Sequence, residues 1–209
     1  MKKFELTTDT KMRFGKKLFR IKALISFGNV KVGDMGGYIE KEENLSQSGN
    51  AWVSGNARVF GNALVSGNAL ASGNAEVSGN ARVFGNAEVF GNAEVFGNAL
   101  VSGNARVSGN ARVFGNAWVS GNAEVLGNAL VSGDADYATA SGFGSEYRTT
   151  TFFKLKNSDE IGVRCGCFYG TLKEFKEIVK ETHGETKKAK EYLMLADLME
   201  YRFSEEKKA

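Results

Sequence analysis

Residues 49–72 read GNAWVS-GNARVF-GNALVS-GNALAS, and this six-residue pattern continues in unbroken phase to Ala138. The repeat fills 90 residues, or fifteen hexads, without one insertion. Glycine is first and alanine third in every hexad. Valine is fifth, except at Ala71 and Tyr137, and asparagine is second, except at Asp134. Strict self-similarity at a fixed period indicates a solenoid, in which each repeat packs only against its neighbours.

Each position of the hexad has a physical role. Alanine and valine stand two residues apart, so an extended chain directs both side chains to one face, which we expect to be the interior. The residue between them and the serine or phenylalanine after valine then point outward. Valine is β-branched and favours strands. We expect glycine and asparagine to form the corner, because both tolerate a positive φ angle.

A six-residue side that ends in a sharp corner predicts a triangular coil of eighteen residues. Fifteen hexads then make five coils, and a strand spacing of about 4.8 Å makes the repeat section roughly 24 Å tall. The chain has 26 glycines and 0 prolines. This composition suits a solenoid, because every coil needs tight turns and every strand needs its N–H groups for pairing.

An aliphatic residue is followed four positions later by a small one, as in Val53 and Ala57. This pattern resembles the hexapeptide of left-handed parallel β-helix proteins, over all fifteen hexads, and implies a mainly β fold of that kind. The best-known proteins with this fold are trimeric acyltransferases, which carry an active-site histidine and usually a loop that protrudes from a coil. Here the one histidine, His183, lies outside the repeats, and no loop interrupts them. The resemblance therefore implies the architecture alone.

The segments on either side of the repeats are expected to be separate units. A solenoid end exposes its apolar interior and unpaired strand edges, so residues 1–48 are interpreted as an N-terminal β cap. Short strands are predicted there at 4–6 and 18–25, with a turn at 33–37. Residues 139–209 are interpreted as a small C-terminal α+β unit of ββαα type.

The C-terminal unit is predicted from hairpin and capping signals. Strands are expected at 150–156 and 161–169 around a turn at 157–160. Thr171 and Glu174 form a capping box that opens a helix, and a second apolar helix follows.

Both flanks carry a second resemblance. Residues 20–53 read RIKALISFGNVKVGDMGGYIEKEENLSQSGNAWV, and residues 165–184 read CGCFYGTLKEFKEIVKETHG. These motifs resemble a family of uncharacterised hexapeptide-repeat proteins of bacteriophages and gut Firmicutes, in which the flanks enclose variable numbers of hexads. The resemblance is nearly end to end. It implies a phage or prophage accessory protein and carries no established activity.

Charge and composition argue against several classes of partner. The net charge is +3, and no basic stripe runs along the repeats, so we expect no nucleic-acid partner. The outward arginines and glutamates of the repeats balance, which argues against DNA mimicry. No continuous apolar segment indicates a signal peptide or a membrane span. Two cysteines are too few for a disulfide framework, so the sequence predicts a cytoplasmic protein, in the host cell if it is phage-encoded.

The C-terminal unit offers one candidate for chemistry. Cys165 and Cys167 would share one face of a strand, and with His183 they could supply soft ligands for zinc or a thiol with a base. A fourth ligand is missing from the pattern, and Cys-x-Cys is a poor spacing for structural zinc. We therefore interpret both cysteines as small buried core residues. The sequence predicts no catalytic residue, no metal and no cofactor, and thus a protein that is not an enzyme.

With eighteen residues per coil, hexads three apart stack, and the outward residues between alanine and valine form three columns. Side one carries Trp52, Leu70, Glu88, Arg106 and Glu124; side two carries Arg58, Glu76, Glu94, Arg112 and Leu130; side three carries Leu64, Arg82, Leu100, Trp118 and Asp136. Side three is the most apolar. The stripe of Leu64, Phe84, Leu100 and Trp118 predicts a homo-oligomer, dimer or trimer. The alternative is that a terminal unit covers the stripe.

Three classes of function remain open at the level of sequence. The favoured one is a non-enzymatic interaction scaffold that binds a host protein and modulates or inhibits a host defence system. The second is a structural, self-assembling solenoid. The third is an acyltransferase-like or nucleotide-binding enzyme that uses the terminal units.

Overall fold

The structure is a computed structural model that describes residues 1–144, 146–156 and 158–204. It confirms a mainly β fold: a parallel solenoid of about five coils, preceded by N-terminal strands and followed by a small sheet and two helices. The N-terminal strands are β1 (Phe4–Arg13), β2 (Lys16–Ala23) and β3 (Met35–Ile39), and a 3-10 turn follows at Glu42–Asn44.

The solenoid consists of fourteen strands of two residues each. They are β4 (Trp52–Val53), β5 (Arg58–Val59), β6 (Leu64–Val65), β7 (Leu70–Ala71), β8 (Glu76–Val77), β9 (Arg82–Val83), β10 (Glu88–Val89), β11 (Glu94–Val95), β12 (Leu100–Val101), β13 (Arg106–Val107), β14 (Arg112–Val113), β15 (Trp118–Val119), β16 (Glu124–Val125) and β17 (Leu130–Val131). Every strand pairs in parallel with the strand three hexads away. Val89, for example, pairs with Ala71 and Val107. The eighteen-residue coil is thus confirmed, while the left-handed winding stays a prediction.

The interior of the solenoid is made of alanine and valine. From Ala69 to Val125 every alanine and valine at the third and fifth hexad positions is fully buried. Backbone hydrogen bonds join successive coils, as from Glu88 N to Ala105 O at 2.9 Å and from Phe90 N to Val107 O at 3.0 Å. Each coil is therefore held by apolar packing inside and by parallel ladders along its three sides.

The corners form at the Gly-Asn pairs, as expected. From Gly49 to Gly127 the repeat glycines have φ angles between 63° at Gly55 and 73° at Gly61, whereas no asparagine in the described residues has a positive φ. Of the two corner residues, only glycine uses the left-handed conformation that both tolerate. The asparagine side chain instead points outward and donates to the asparagine one coil on, as from Asn86 Nδ2 to Asn104 Oδ1 at 3.1 Å. One flexible residue per corner is enough, which leaves the asparagine free to link the coils.

The N-terminal segment joins the solenoid as added strands. β1 and β2 form an antiparallel hairpin, and β3 pairs antiparallel with β2 and parallel with β5. The turn predicted at 33–37 was therefore partly wrong, because Gly36 and Gly37 belong to β3. Glycine is needed here because the neighbouring strand comes too close for a side chain. A Cβ on Gly37 would lie 2.6 Å from the Ala57 carbonyl oxygen. The strand predicted at 18–25 ends at Ala23.

The fifteenth hexad does not form a side of the solenoid. Asp134–Asp136 is a 3-10 turn, and the chain then leaves as β18 (Tyr137–Ala140). At this point the Asp136 carboxylate accepts from Ser132 N at 2.8 Å and from Gly133 N at 3.2 Å, which closes a local turn. The assignment of Asp136 to side three was therefore wrong.

The C-terminal unit has four strands where the sequence indicated two. β18 pairs with β19 (Thr150–Lys154), β19 with β20 (Ile161–Cys165) and β20 with β21 (Phe168–Thr171), all antiparallel. The strand predicted at 161–169 is split by a two-residue turn, because Gly166 has a φ angle of 58°. In the turn predicted at 157–160, Asn157 lies outside the described residues.

Two helices complete the chain: α1 (Leu172–His183) and α2 (Lys187–Phe203). Thr171 caps α1 as predicted, accepting from Glu174 N at 3.3 Å while its own N–H donates to the Glu174 carboxylate at 2.7 Å. The β18–β21 sheet lies between the last coil and the helices. Phe153 belongs to the apolar core of the solenoid, and its neighbour Phe152 packs in the core formed with the helices.

Candidate functional site

The three sides of the solenoid differ in what covers them. Strand order places β4, β7, β10, β13 and β16 on side one, β5, β8, β11, β14 and β17 on side two, and β6, β9, β12 and β15 on side three. The register matches the expected columns apart from Asp136. On each side the outward side chains form a flat column. Whether a side is available to a partner therefore depends on whether the terminal units cover that column.

Side two is occupied by the N-terminal hairpin. Arg13 at the hairpin tip donates to Glu76 Oε2 at 2.7 Å, and Glu76 is only 8% exposed. Farther along, Arg112 donates to Glu94 at 2.8 Å. Phe14, next to Arg13, lies 6.2 Å from the ring of Phe60. The outward charges on this side are therefore largely satisfied within the chain.

Side one is also tied to the terminal units. Trp52 is buried and meets Phe27 edge to face at 5.4 Å. At the other end, Arg164 of β20 donates to Glu124 at 2.7 Å. Between these two contacts lies Leu70, which is exposed.

Side three keeps its outward face open. Leu64, Phe84 and Leu100 are half-buried, and Trp118 is 50% exposed. The C-terminal unit lies beside Trp118: the Tyr137 hydroxyl donates to its carbonyl oxygen at 2.6 Å, and Thr139 and Arg202 line the same depression as its side chain. A terminal unit therefore flanks Trp118 but leaves half of its surface exposed, so the alternative of complete cover does not hold at this position.

Trp118 and Arg82 are the exposed large side chains in the column of side three. Trp118 Nε1 donates to Ser102 Oγ at 2.9 Å, and Ser102 is almost fully buried, so the indole is held against the sheet while half of the side chain stays exposed. Arg82 is exposed between Leu64 and Leu100 in the register of the sheet. Of the described residues, none forms an ion pair with Arg82.

The cysteines and the histidine of the C-terminal unit are arranged differently from the sequence interpretation. Cys165 ends β20 and is partly buried, but Cys167 is exposed in the β20–β21 turn. The expectations of a shared strand face and of a buried Cys167 were therefore wrong, since the Gly166 turn separates the two residues. Within the described part of the chain, no group of three or more His, Cys, Asp or Glu side chains converges as metal ligands.

Tyr192 of α2 stands close to both Cys165 and His183. Its ring stacks on the imidazole of His183 at 6.0 Å, and burial raises the pKa of its hydroxyl to about 12, with a further contribution from Cys165. The Cys165 sulfur also accepts a hydrogen bond from Thr150 Oγ1 at 3.2 Å. A neutral phenol in this place packs the small core and is a poor proton acceptor near pH 7.

Helix α2 carries an exposed apolar surface that the sequence analysis missed. Met194, Leu198 and Tyr201, which we call the outer stripe, are 71%, 55% and 81% exposed. Their spacing of four and three residues places them on one helix face and was visible in the sequence. The apolar residues on the inner face of α2 are enough to predict a helix, so the sequence pattern gave no reason to look for a second apolar stripe on its outer face. A depression of about 540 Å³ adjoins it, lined by Leu198, Tyr201, Arg202 and Thr139 among others.

Comparison with known proteins supports the repeat architecture. The sequence model described as the YdcK β-solenoid repeat matches residues 51–67, 57–73 and 105–121, so these parts of the chain are similar to that repeat family. No curated protein matches the chain. In the described residues, no helix has the length and apolar character needed to cross a membrane.

Proposed function

We propose that this chain is a non-enzymatic protein-interaction scaffold of phage or prophage origin, and that it binds a host protein and inhibits a host defence system. The outer stripe of α2 is the observation that carries the binding role. The phage origin follows from the resemblance of the two flanking motifs, at 20–53 and 165–184, to a family of bacteriophages and gut Firmicutes.

The outer stripe is apolar surface beyond what the helix needs for packing. Ala189, Ala196 and Met199 are buried in the C-terminal core, and this inner face suffices to hold α2 in place. Large apolar side chains that lie together on the exposed face of a helix form the kind of patch that marks an interaction site. An apolar helix face is a common mode of protein recognition.

The rest of the chain holds the stripe in a fixed position. Lys176 of α1 pairs with Asp197 of α2 at 2.8 Å and also with Glu200. The sheet beneath the helices is anchored to the last coil, where Lys156 N donates to Asn128 O at 2.9 Å. A surface that is already ordered loses less conformational entropy on binding, so a rigid rod is a suitable platform for recognition.

The binding role is tested by affinity capture from a lysate of the bacterial host, followed by reconstitution with the purified candidate. We expect the wild-type chain to capture a host protein and to form a complex of defined stoichiometry with it in native mass spectrometry. The Leu198→Asp variant should not bind this protein. The matched control is Leu70→Asp, which places the same charge at an exposed leucine on side one. If Leu198→Asp and wild type capture the same proteins, α2 is not the binding surface.

The absence of enzymatic activity is tested separately. Tyr192 lies beside the Cys165 thiol, and burial raises the pKa of its hydroxyl to about 12, so it stays protonated near neutral pH and is a poor base. Purified protein given acetyl-coenzyme A or a nucleoside triphosphate should show turnover equal to the blank. Turnover that Cys165→Ala or His183→Ala abolishes would instead establish an enzyme.

The alternative of a filament that stacks end to end has less support. The added strands of the N-terminal segment cover the first coil, and Phe153 of β19 closes the core at the last one. A second rod would have to displace these segments to continue the parallel ladder.

A further inference from the structure

We propose that side three binds side three of a second copy of this chain, forming an antiparallel dimer whose two-fold axis passes through Leu100. Sides one and two have their central charges paired, as between Arg106 and Glu88 at 3.1 Å and between Arg112 and Glu94 at 2.8 Å. Side three has apolar side chains and, in the part of the chain that the structure describes, an arginine that forms no ion pair; Arg82 is exposed and Trp118 is 50% exposed.

The order of residues along side three sets the register. Leu64, Arg82, Leu100 and Trp118 follow one another on adjacent strands, each about 4.8 Å from the next. A two-fold axis perpendicular to the rod at Leu100 brings the two Leu100 side chains together. The same axis places Arg82 of each copy opposite Trp118 of the other.

This pairing joins a half-exposed indole to an arginine without an ion pair among the described residues. Trp118 is 50% exposed although its Nε1 donates to Ser102, and Arg82 is exposed. An arginine over an aromatic face is attractive, and indole is the best such surface. The solenoid already uses this contact internally: Arg106 lies 5.1 Å from the ring of Phe90, and Arg112 lies 5.1 Å from the ring of Phe96.

Other arrangements on the same face are less favourable. A parallel dimer or a cyclic trimer with its axis along the rod places every Arg82 beside its symmetry mate, without a counter-ion. In an antiparallel dimer whose two-fold axis passes midway between Arg82 and Leu100, the two guanidinium groups lie one coil apart, about 5 Å along the rod. Like charges at such distances repel. With the axis at Leu100, the two guanidinium groups lie two coils apart, and each Arg82 lies over the indole of Trp118 in the other copy.

The area of the face is small. Side three has four strands and is therefore about 19 Å tall, which on one side of a narrow rod is smaller than a standard protein interface. We therefore expect a dissociation constant in the micromolar range. Sedimentation equilibrium of the full chain between about 1 and 200 µM should show a reversible monomer–dimer transition.

Two variants locate the interface. Leu100→Glu places charges at the axis and should leave a monomer at all these concentrations, while Leu70→Glu, the same change on side one, should dimerise like wild type. Both positions face outward, and an unchanged circular dichroism spectrum verifies the fold. Arg82→Gln should weaken the dimer by about tenfold, since it removes two symmetric contacts.

Thiol cross-linking with a bis-maleimide that spans about 10 Å tests the register, in a Cys165→Ala, Cys167→Ser background. Leu100→Cys should form a covalent dimer, because the two thiols face each other at the axis across the roughly 10 Å between packed sheets. Leu64→Cys should not, because the two copies would also lie about 19 Å apart along the rod, beyond the reach of the reagent. A wild-type monomer at 200 µM, a trimer, a dimer that survives Leu100→Glu, or equal trapping of both cysteine variants would each overturn the proposal.

Discussion

The glycine of the hexad is set by two demands at once. Gly109 has a φ angle of 69°, and a Cβ there would lie 2.8 Å from the backbone nitrogen of Gly127 in the next coil. The turn thus needs a left-handed conformation, and the stacking of coils leaves no room for a side chain. Gly133 is different, since its φ is −160° and no atom lies within 4 Å of a Cβ built on it.

These two glycines make a matched pair for a stability measurement. Gly109→Ala should lower the free energy of unfolding by roughly 2 kcal/mol or more, because alanine is strained at this φ and crowds Gly127. Gly133→Ala should change it by less than about 0.5 kcal/mol. Urea unfolding of both variants measures the difference. Equal stabilities would show that the corner relaxes around a methyl group.

Lys3 is the most unusual charged residue of the chain. Its side chain is buried. Its ammonium group donates to the carbonyl oxygen of Ala51 at 2.9 Å and lies 4.9 Å from the centre of the Phe27 ring. Of the described acidic residues, none pairs with it. Burial without a counter-ion lowers the pKa of Lys3 to about 8, since the uncharged form is favoured there.

This lowered pKa predicts how stability depends on pH. Below pH 8 Lys3 is protonated in both folded and unfolded chains, and the cost of burying its charge is fully present. Between pH 8 and 10.5 the folded protein holds fewer protons, so the free energy of unfolding should rise with pH, by up to about 3 kcal/mol. Denaturant unfolding from pH 7 to 10 tests this against Lys3→Met, which should lack the rise. Parallel curves for the two proteins would contradict it.

At the scale of single elements, the clearest local signal is the cap of α1. Thr171 and Glu174 satisfy each other's backbone N–H groups, and Glu174 has a lowered pKa because it accepts from the backbone and side chain of Thr171. Such a box fixes the first turn of a helix whatever the surroundings. The β20–β21 turn at Gly166 is equally local, but a glycine between two cysteines gave no comparable signal.

Removing the cap should weaken α1 by a modest and specific amount. Thr171→Ala is expected to lower the free energy of unfolding by about 1 kcal/mol, since the N–H of Glu174 loses its acceptor. Thr171→Ser keeps the hydroxyl and serves as the control. Thermal unfolding followed by circular dichroism would measure both, and an alanine variant as stable as the serine variant would show that the box contributes nothing here.

At the scale of the whole molecule, the β18–β21 sheet is a partition between two cores. Phe152 and Phe153 are neighbours on β19 and are both fully buried, but alternation along the strand sends them to opposite faces. The solenoid is therefore closed at one end by a side chain from another unit.

The two phenylalanines should report on different parts of the chain. Phe153→Ala is expected to cost about 3–5 kcal/mol and to speed hydrogen exchange in the last coil, around Val125 and Val131. Phe152→Ala should cost a similar amount but speed exchange in α1 and α2. Exchange that rises uniformly in both variants would show instead that the chain unfolds as one cooperative unit.

The sequence alone determined the solenoid, because the information is local and repeated: one glycine per corner, two small apolar residues facing inward and a period that fixes the eighteen-residue coil. It also determined the α1 cap and the columns of side chains on the three sides, since each follows from spacing within a few residues or from the coil length.

Only the tertiary structure decided where the regular pattern ends and which side remains open. The fifteenth hexad has the glycine and alanine of the others, yet the Asp136 carboxylate bonds to Ser132 and Gly133 and turns the chain away. The pairing of Arg13 with Glu76 and of Arg164 with Glu124 joins residues 63 and 40 positions apart. Such contacts depend on how separate units dock, and no local pattern encodes them. They cover parts of sides one and two, and they leave the outward face of side three, with Trp118 and Arg82, exposed.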